Sequence, residues 1–162
     1  MFKIMNFLTI TKCDQVNGEG LRVVLWVSGC SHECRECQNA YSWKPDRGVP
    51  FDESAKEEIF EELGKDWCSG ITFSGGDPLY INNRKEVIAF CKEIREKFPN
   101  KTIWLYTGYT LEEIEADETM KDVLKYLDVL LDGKFECDNK SPDKPWVGSA
   151  NQRVIKLKEI GY

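Results

Sequence analysis

The chain has 162 residues, 41% of them apolar and 31% charged, and a formal net charge of −6. That size and balance suit one globular domain spanning residues 1–162 and exclude a disordered tail, while the scattered Lys and Arg exclude the basic stripe that nucleic acid binding requires. The longest purely apolar run, Val23 to Val27, is far too short to cross a bilayer, and Met1 to Ile10 has a polar break at Asn6 without a small-residue cleavage site. The expectation is a mature cytoplasmic protein that engages neither membrane nor nucleic acid.

In chain order, Phe7–Thr11 reads as a first strand and Leu21–Val27, nearly continuous in apolar and β-branched residues, as a strand buried on both faces. Ala55, Ile59, Phe60 and Leu63 then share a helical face, and Ser54 with Glu57 has the spacing of a capping box. Glu57, Glu58, Glu61 and Glu62 are expected on the solvated side of that helix. A short strand over Gly70–Phe73 precedes a second helix, striped by Val87, Ile88, Cys91 and Ile94, with Asn83 and Glu86 placed to cap it. Pro99 ends that helix by Phe98. Thr102–Tyr106 is the next strand, Thr110 and Glu113 offer a third cap, and Val123, Leu124 and Leu127 form a further stripe. Asp128–Leu131 and the alternating Gln152–Leu157 complete the strands. Strands alternating with helices predict an α/β fold with a mainly parallel sheet. A complete eight-stranded barrel takes about 250 residues, so this chain has length for a partial one, and an open doubly wound sheet is the rival.

In either architecture ligands bind at the carboxyl ends of the strands. Cys30 follows the first buried strand, Ser74-Gly75-Gly76-Asp77 the second, Thr107-Gly108-Tyr109 the third and Asp132-Gly133 the fourth. The unusual local chemistry therefore converges on one rim.

Seven cysteines is a high, odd count, unlike a paired disulfide scaffold. Cys30, Cys34 and Cys37 are crowded together, and Cys13, Cys68, Cys91 and Cys137 lie far apart, which suggests one metal site plus ordinary thiols in a reducing compartment. Thiolates spaced this closely can converge only in a tight curl around one centre, as soft ligands of an iron–sulfur cluster do. A four-iron cluster normally takes four thiolates, so three would leave one iron open for catalysis. Zinc held by Cys30, His32, Cys34 and Cys37 is the alternative, although the spacing is cramped for it. The Ser74–Pro78 motif also has two readings. Paired glycines let main chain approach a ligand closely, and Asp77-Pro78 could equally begin a helix as N-cap and first residue.

Taken together, the C-x3-C-x2-C loop and the Gly-Gly-acid motif after the next strand resemble the radical S-adenosylmethionine superfamily. Further blocks narrow the resemblance to activating proteins of anaerobic ribonucleoside-triphosphate reductase. They are Val16-Asn17-Gly18-Glu19-Gly20, Val27-Ser28-Gly29-Cys30, Trp104 to Tyr109, Leu131-Asp132-Gly133-Lys134-Phe135 and Gly148 to Val154. Glu36 replaces an aromatic residue common in the superfamily and Asp77 a common Glu, both tolerated in the narrower group.

The resemblance implies a partial βα barrel of the radical S-adenosylmethionine type. It implies a 4Fe–4S cluster on Cys30, Cys34 and Cys37 with one open iron, and S-adenosylmethionine positioned by Glu36, Cys37 and Gln38 and by Gly75, Gly76 and Asp77. It implies reductive cleavage to a 5′-deoxyadenosyl radical that takes hydrogen from a glycine of the reductase, with flavodoxin or ferredoxin as reductant. The alternatives are another small radical enzyme (a pyruvate formate-lyase-type activase or a carboxy-deazaguanine synthase) and a non-enzymatic zinc or iron–sulfur module. Of the remaining candidates, His32 reads as solvated or weakly involved in tuning the cluster, and Cys91 as a buried inert thiol. Tyr106–Tyr109 and Asn151–Arg153 are candidates for the cofactor rim.

Overall fold

The apolar runs become strands of one sheet in the computed structural model, which describes residues 4–35, 37 and 40–162. The strands are β1 (Asn6–Asp14), β2 (Arg22–Val27), β3 (Val49–Pro50), β4 (Gly70–Gly75), β5 (Thr102–Tyr106), β6 (Val129–Asp132) and β7 (Arg153–Lys156). Their order is β3-β1-β2-β4-β5-β6-β7. The central β2, β4, β5 and β6 run parallel, whereas β1, β3 and β7 pair antiparallel at the margins. The mixed α/β class with a largely parallel sheet is therefore as expected. The two-residue β3 was not, because so short an edge strand carries no periodicity.

Among the described residues three α-helices connect the parallel strands: α1 (Glu53–Leu63), α2 (Arg84–Lys97) and α3 (Leu111–Glu115). They bury Ala55, Ile59 and Leu63, then Val87, Phe90 and Ile94, then Leu111 and Ile114 against Val23, Leu25, Ile71, Phe73, Ile103, Leu105 and Leu130. Those strand residues share one face, since side chains alternate along a strand. On the other face Trp104, Val129 and Leu131 pack with Tyr106, Trp146, Val147 and Val154, with no helix over them among the described residues. Four parallel strands in consecutive order, joined by right-handed crossovers, put every crossover helix on the same side. A doubly wound sheet, with helices on both faces, does not form.

Local expectations fare unevenly. The Thr110–Glu113 capping box forms in full. Ser54 does not cap α1; Asp52 does, accepting from the Ala55 amide at 3.0 Å, because the chain turns helical directly after β3 and Phe51. Asn83 stands before α2 without capping it, its amide donating instead to the Ser28 carbonyl (2.7 Å) and the Asp77 carbonyl (3.2 Å). The stripe at Val123 and Leu124 is a 3-10 segment, Lys121–Lys125. Glu62 departs from the solvated run: it is buried and paired with Lys65 at 2.7 Å. Among the described residues, no helix is long and apolar enough to cross a membrane.

Candidate active site

The rim at the carboxyl ends of β2, β4, β5 and β6 opens into a cleft of about 260 Å³ lined by Cys30, Cys34, Cys37 and Gly75–Asp77. Its floor lies on the helix-free face of the sheet, where Trp26, Ser74 and Tyr106 reach it. Glu36 and Gln38 lie outside the described residues.

The cysteine loop is held by main chain at its start. Gly29 donates its amide to the Ser42 carbonyl (2.6 Å) and Cys30 to that of Trp43 (2.9 Å). Beyond Cys30 the loop alternates: Ser31, Glu33 and Arg35 are exposed, while Cys30, His32 and Cys34 turn inward. Burial pushes the Cys30 thiol up to about 11 and raises that of Cys34 as well. Both are protonated at neutral pH without a metal, so loading a metal must displace protons. Among the described residues no disulfide involves any of the seven cysteines. Cys13, Cys68, Cys91 and Cys137 do not line the cleft. Cys137 lies beside the loop all the same, its sulfur accepting from the Arg35 guanidinium at 3.1 Å.

The glycine motif explains itself by contact with the cysteine loop. Gly76 donates to the Val27 carbonyl (2.8 Å) and Asp77 to the Gly29 carbonyl (2.6 Å). A Cβ on Gly76 would sit 2.4 Å from the Gly29 oxygen, so any other residue would push the two segments apart. Asp77-Pro78 does not begin a helix. The segment is a turn in which Asp77 Oδ1 accepts from the Leu79 amide (2.8 Å), and α2 starts later.

Asp77 is 1% exposed and is the best-connected side chain of the site. Besides Leu79, its carboxylate accepts from the Thr107 hydroxyl (2.8 and 3.0 Å), the Gly108 amide (3.0 Å) and the His32 ring at Nε2 (2.7 Å). His32 is thus neither solvated nor without a partner; its side chain is 6% exposed and meets Tyr109 edge-on at 4.6 Å. Nothing in the sequence signalled a contact across this separation. Ligand atoms of Cys30, His32 and Asp77 lie within 4.8 Å of one another, near enough for a metal ion. The carboxylate, however, already accepts from several donors, and coordination would have to release them.

The far wall of the cleft comes from residues after β6. Gln152 lines it and pins its own loop, accepting from the Gly148 (2.9 Å) and Ser149 (3.0 Å) amides and donating to the Gly133 carbonyl (3.1 Å). Tyr106, Thr107 and Gly108 also line the cleft, whereas Tyr109 stands behind it against His32. Arg153 turns away to Asp132 (2.5 Å) and Glu112 (2.7 Å). The Tyr106 hydroxyl donates to the Trp146 carbonyl (2.6 Å), closing an aromatic end of the cleft in which Tyr106 was expected and Trp146 was not.

Three closely spaced thiols on one wall suit the soft-ligand chemistry of an iron–sulfur cluster, and residues 16–155 match the family described as a 4Fe-4S single cluster domain. The chain is 44% identical to the anaerobic ribonucleoside-triphosphate reductase-activating protein of Pasteurella multocida, over 94% of this chain and 98% of that one. The protein of the same name from phage T4 is 44% identical, covering 93% of each chain, and that of Escherichia coli K12 is 40% identical, over 95% of this chain and 100% of its own. The chain belongs to the family of anaerobic ribonucleoside-triphosphate reductase-activating proteins.

Proposed function

We propose that this protein installs a glycyl radical in an anaerobic ribonucleoside-triphosphate reductase. Near-full-length relatedness to proteins named as activators of that enzyme carries the reading, and the thiol-lined cleft supplies its chemistry. Cys30, Cys34 and Cys37 would hold three irons of a 4Fe–4S cluster and leave the fourth open. Bound there, the cluster would supply the one electron that breaks the sulfonium C–S bond of S-adenosylmethionine, giving methionine and a 5′-deoxyadenosyl radical that would take a hydrogen atom from the partner's glycine.

The residues bind, orient and shield. Main chain at Glu36, Cys37 and Gln38 and at Gly75, Gly76 and Asp77 would position S-adenosylmethionine. The amides of Gly76 and Asp77 donate to Val27 and Gly29 and fix the turn; an ammonium, which only donates, would be met by carbonyl oxygens. Trp26, Tyr106 and Trp146 wall the cleft with aromatic surface and limit water at the reacting atoms.

We read the fold, over residues 1–162 as one domain, as a partial βα barrel of the radical S-adenosylmethionine type. The packing of α1, α2 and α3 on one face and the cleft on the other support it over a flat open sheet. The setting is the cytoplasm, where thiols stay reduced, and flavodoxin or ferredoxin fits as reductant. The test is anaerobic reconstitution. The expected product is a brown protein with about four irons per chain that, once reduced, converts S-adenosylmethionine to 5′-deoxyadenosine. A protein that holds zinc and yields no such product would overturn the reading.

A further inference from the structure

The site is built from two segments, and among the described residues the buried His32 side chain links the cysteine loop to the glycine turn. The amides of Gly29 and Cys30 anchor the start of the cysteine loop, and the Phe135 main-chain amide reaches the Cys34 thiol. Further along, Arg35 pairs with Asp138, but both side chains are largely exposed, so that contact holds the loop weakly. His32, midway between Cys30 and Cys34, is different. Its ring is buried and its Nε2 lies 2.7 Å from Asp77 Oδ2. Asp77 accepts from the other groups around it, so the proton of this bond sits on His32 Nε2, which donates.

Packing orients the ring toward that hydrogen bond. Tyr109 meets it edge-on at 4.6 Å. On its other flank Gly108 leaves no room: a Cβ there would lie 2.4 Å from His32 Cδ2. Asp77 does not depend on His32 for its own placement, because Leu79, Thr107 and Gly108 also hold it. Loss of His32 would therefore loosen the loop between Cys30 and Cys34 and leave the Gly75–Asp77 turn in place.

We propose that His32 is a positioning residue that sets the cysteine loop against the Gly75–Asp77 turn, and with it the register between the cluster and S-adenosylmethionine. The proposal rests on the radical reading above. It separates two properties: the three cysteines determine whether a cluster is held, and His32 determines how well the cofactor bound at the turn meets it.

The test uses His32→Ala, His32→Phe and His32→Gln in the full chain, reconstituted anaerobically. Iron content is measured first, and then S-adenosylmethionine is titrated against the reduced cluster by electron paramagnetic resonance. Ala removes ring and donor, Phe keeps the ring without the donor, and Gln restores an N–H at a similar reach. Ala and Phe variants should bind iron as the parent does yet need about tenfold more S-adenosylmethionine for the spectral change, while Gln stays within about threefold. If the Ala variant does not fold, the Phe variant decides. Parent-like titration in both, or loss of iron from both, would overturn the proposal, the latter by making His32 part of cluster retention. A parent protein whose cluster spectrum ignores S-adenosylmethionine would instead refute the radical reading itself.

Discussion

Asp77→Asn tests whether the site is organised around one carboxylate even before any metal is present. Oδ1 accepts from Leu79 and Thr107, and Oδ2 from His32, Thr107 and Gly108. Asparagine replaces one of these oxygens with an NH2 donor. The Thr107 hydroxyl can rotate to accept from it, and His32 can change tautomer, but a main-chain N–H has no such option. With the NH2 at the Oδ1 position the Leu79 amide is orphaned, and with it at Oδ2 the Gly108 amide is. Either orientation leaves a main-chain donor unsatisfied in the interior, at a cost of about 2 kcal/mol. In a chain of this length that lowers the melting temperature by about 4–8 °C. Urea unfolding of the metal-free, reduced protein measures the loss directly, with the midpoint falling and the slope unchanged. Thr107→Val, which removes one donor and leaves the carboxylate, should cost about 1 kcal/mol. An Asp77→Asn variant within about 0.5 kcal/mol of the parent would refute the organising role.

Arg22 is 1% exposed and donates to the Thr72 and Thr102 hydroxyls and to the carbonyls of Glu19, Ile71 and Thr102. Arg22→Met should therefore destabilise by about 3 kcal/mol in thermal unfolding, and a loss under about 1 kcal/mol would count against it. Arg153 holds the Glu112 carboxyl down to about 2 from an ordinary 4.5. A depressed folded value stabilises above the unfolded one and is lost as pH falls toward the folded one. The small advantage of the parent over Glu112→Gln should thus be present at about pH 6 and fade toward about pH 2, read from urea midpoints; an advantage that grows in acid would contradict the pairing. Substituting Ala for Cys30, Cys34 or Cys37 should abolish the brown chromophore and the bound iron. Cys91→Ala, on the buried face of α2, should keep both at a cost of about 1 kcal/mol in stability. Iron lost from a folded Cys91 variant would show the ligand set to be wrong.

What could be read beforehand was whatever is local. The runs Leu21–Val27 and Thr102–Tyr106 announced β2 and β5, and Thr110 with Glu113 announced a capping box that forms. The same spacing at Ser54 and Glu57 misled, because Asp52 lies closer to the end of β3 and captures the helix start. Asn83 fails as a cap for a long-range reason: its amide is drawn to Ser28, in a segment that only the fold brings near. The cleft was foreseeable because strand ends gather by topology, which put Cys30, Gly75, Thr107 and Gly133 on one rim. Which face the helices take was not, since it depends on strand order, and order is not written in periodicity. The His32–Asp77 bond likewise joins residues whose proximity follows only from the parallel register of β2 and β4.

The central claim is that a hydrogen atom passes from a glycine of the reductase to a radical made in this cleft. Reductase prepared with glycine deuterated at the α-carbon, mixed anaerobically with the reduced protein and S-adenosylmethionine, tests it most directly. The account predicts a glycyl radical in the reductase by electron paramagnetic resonance together with deuterium in the 5′-deoxyadenosine by mass spectrometry. Unlabelled 5′-deoxyadenosine with a radical-free reductase would contradict it.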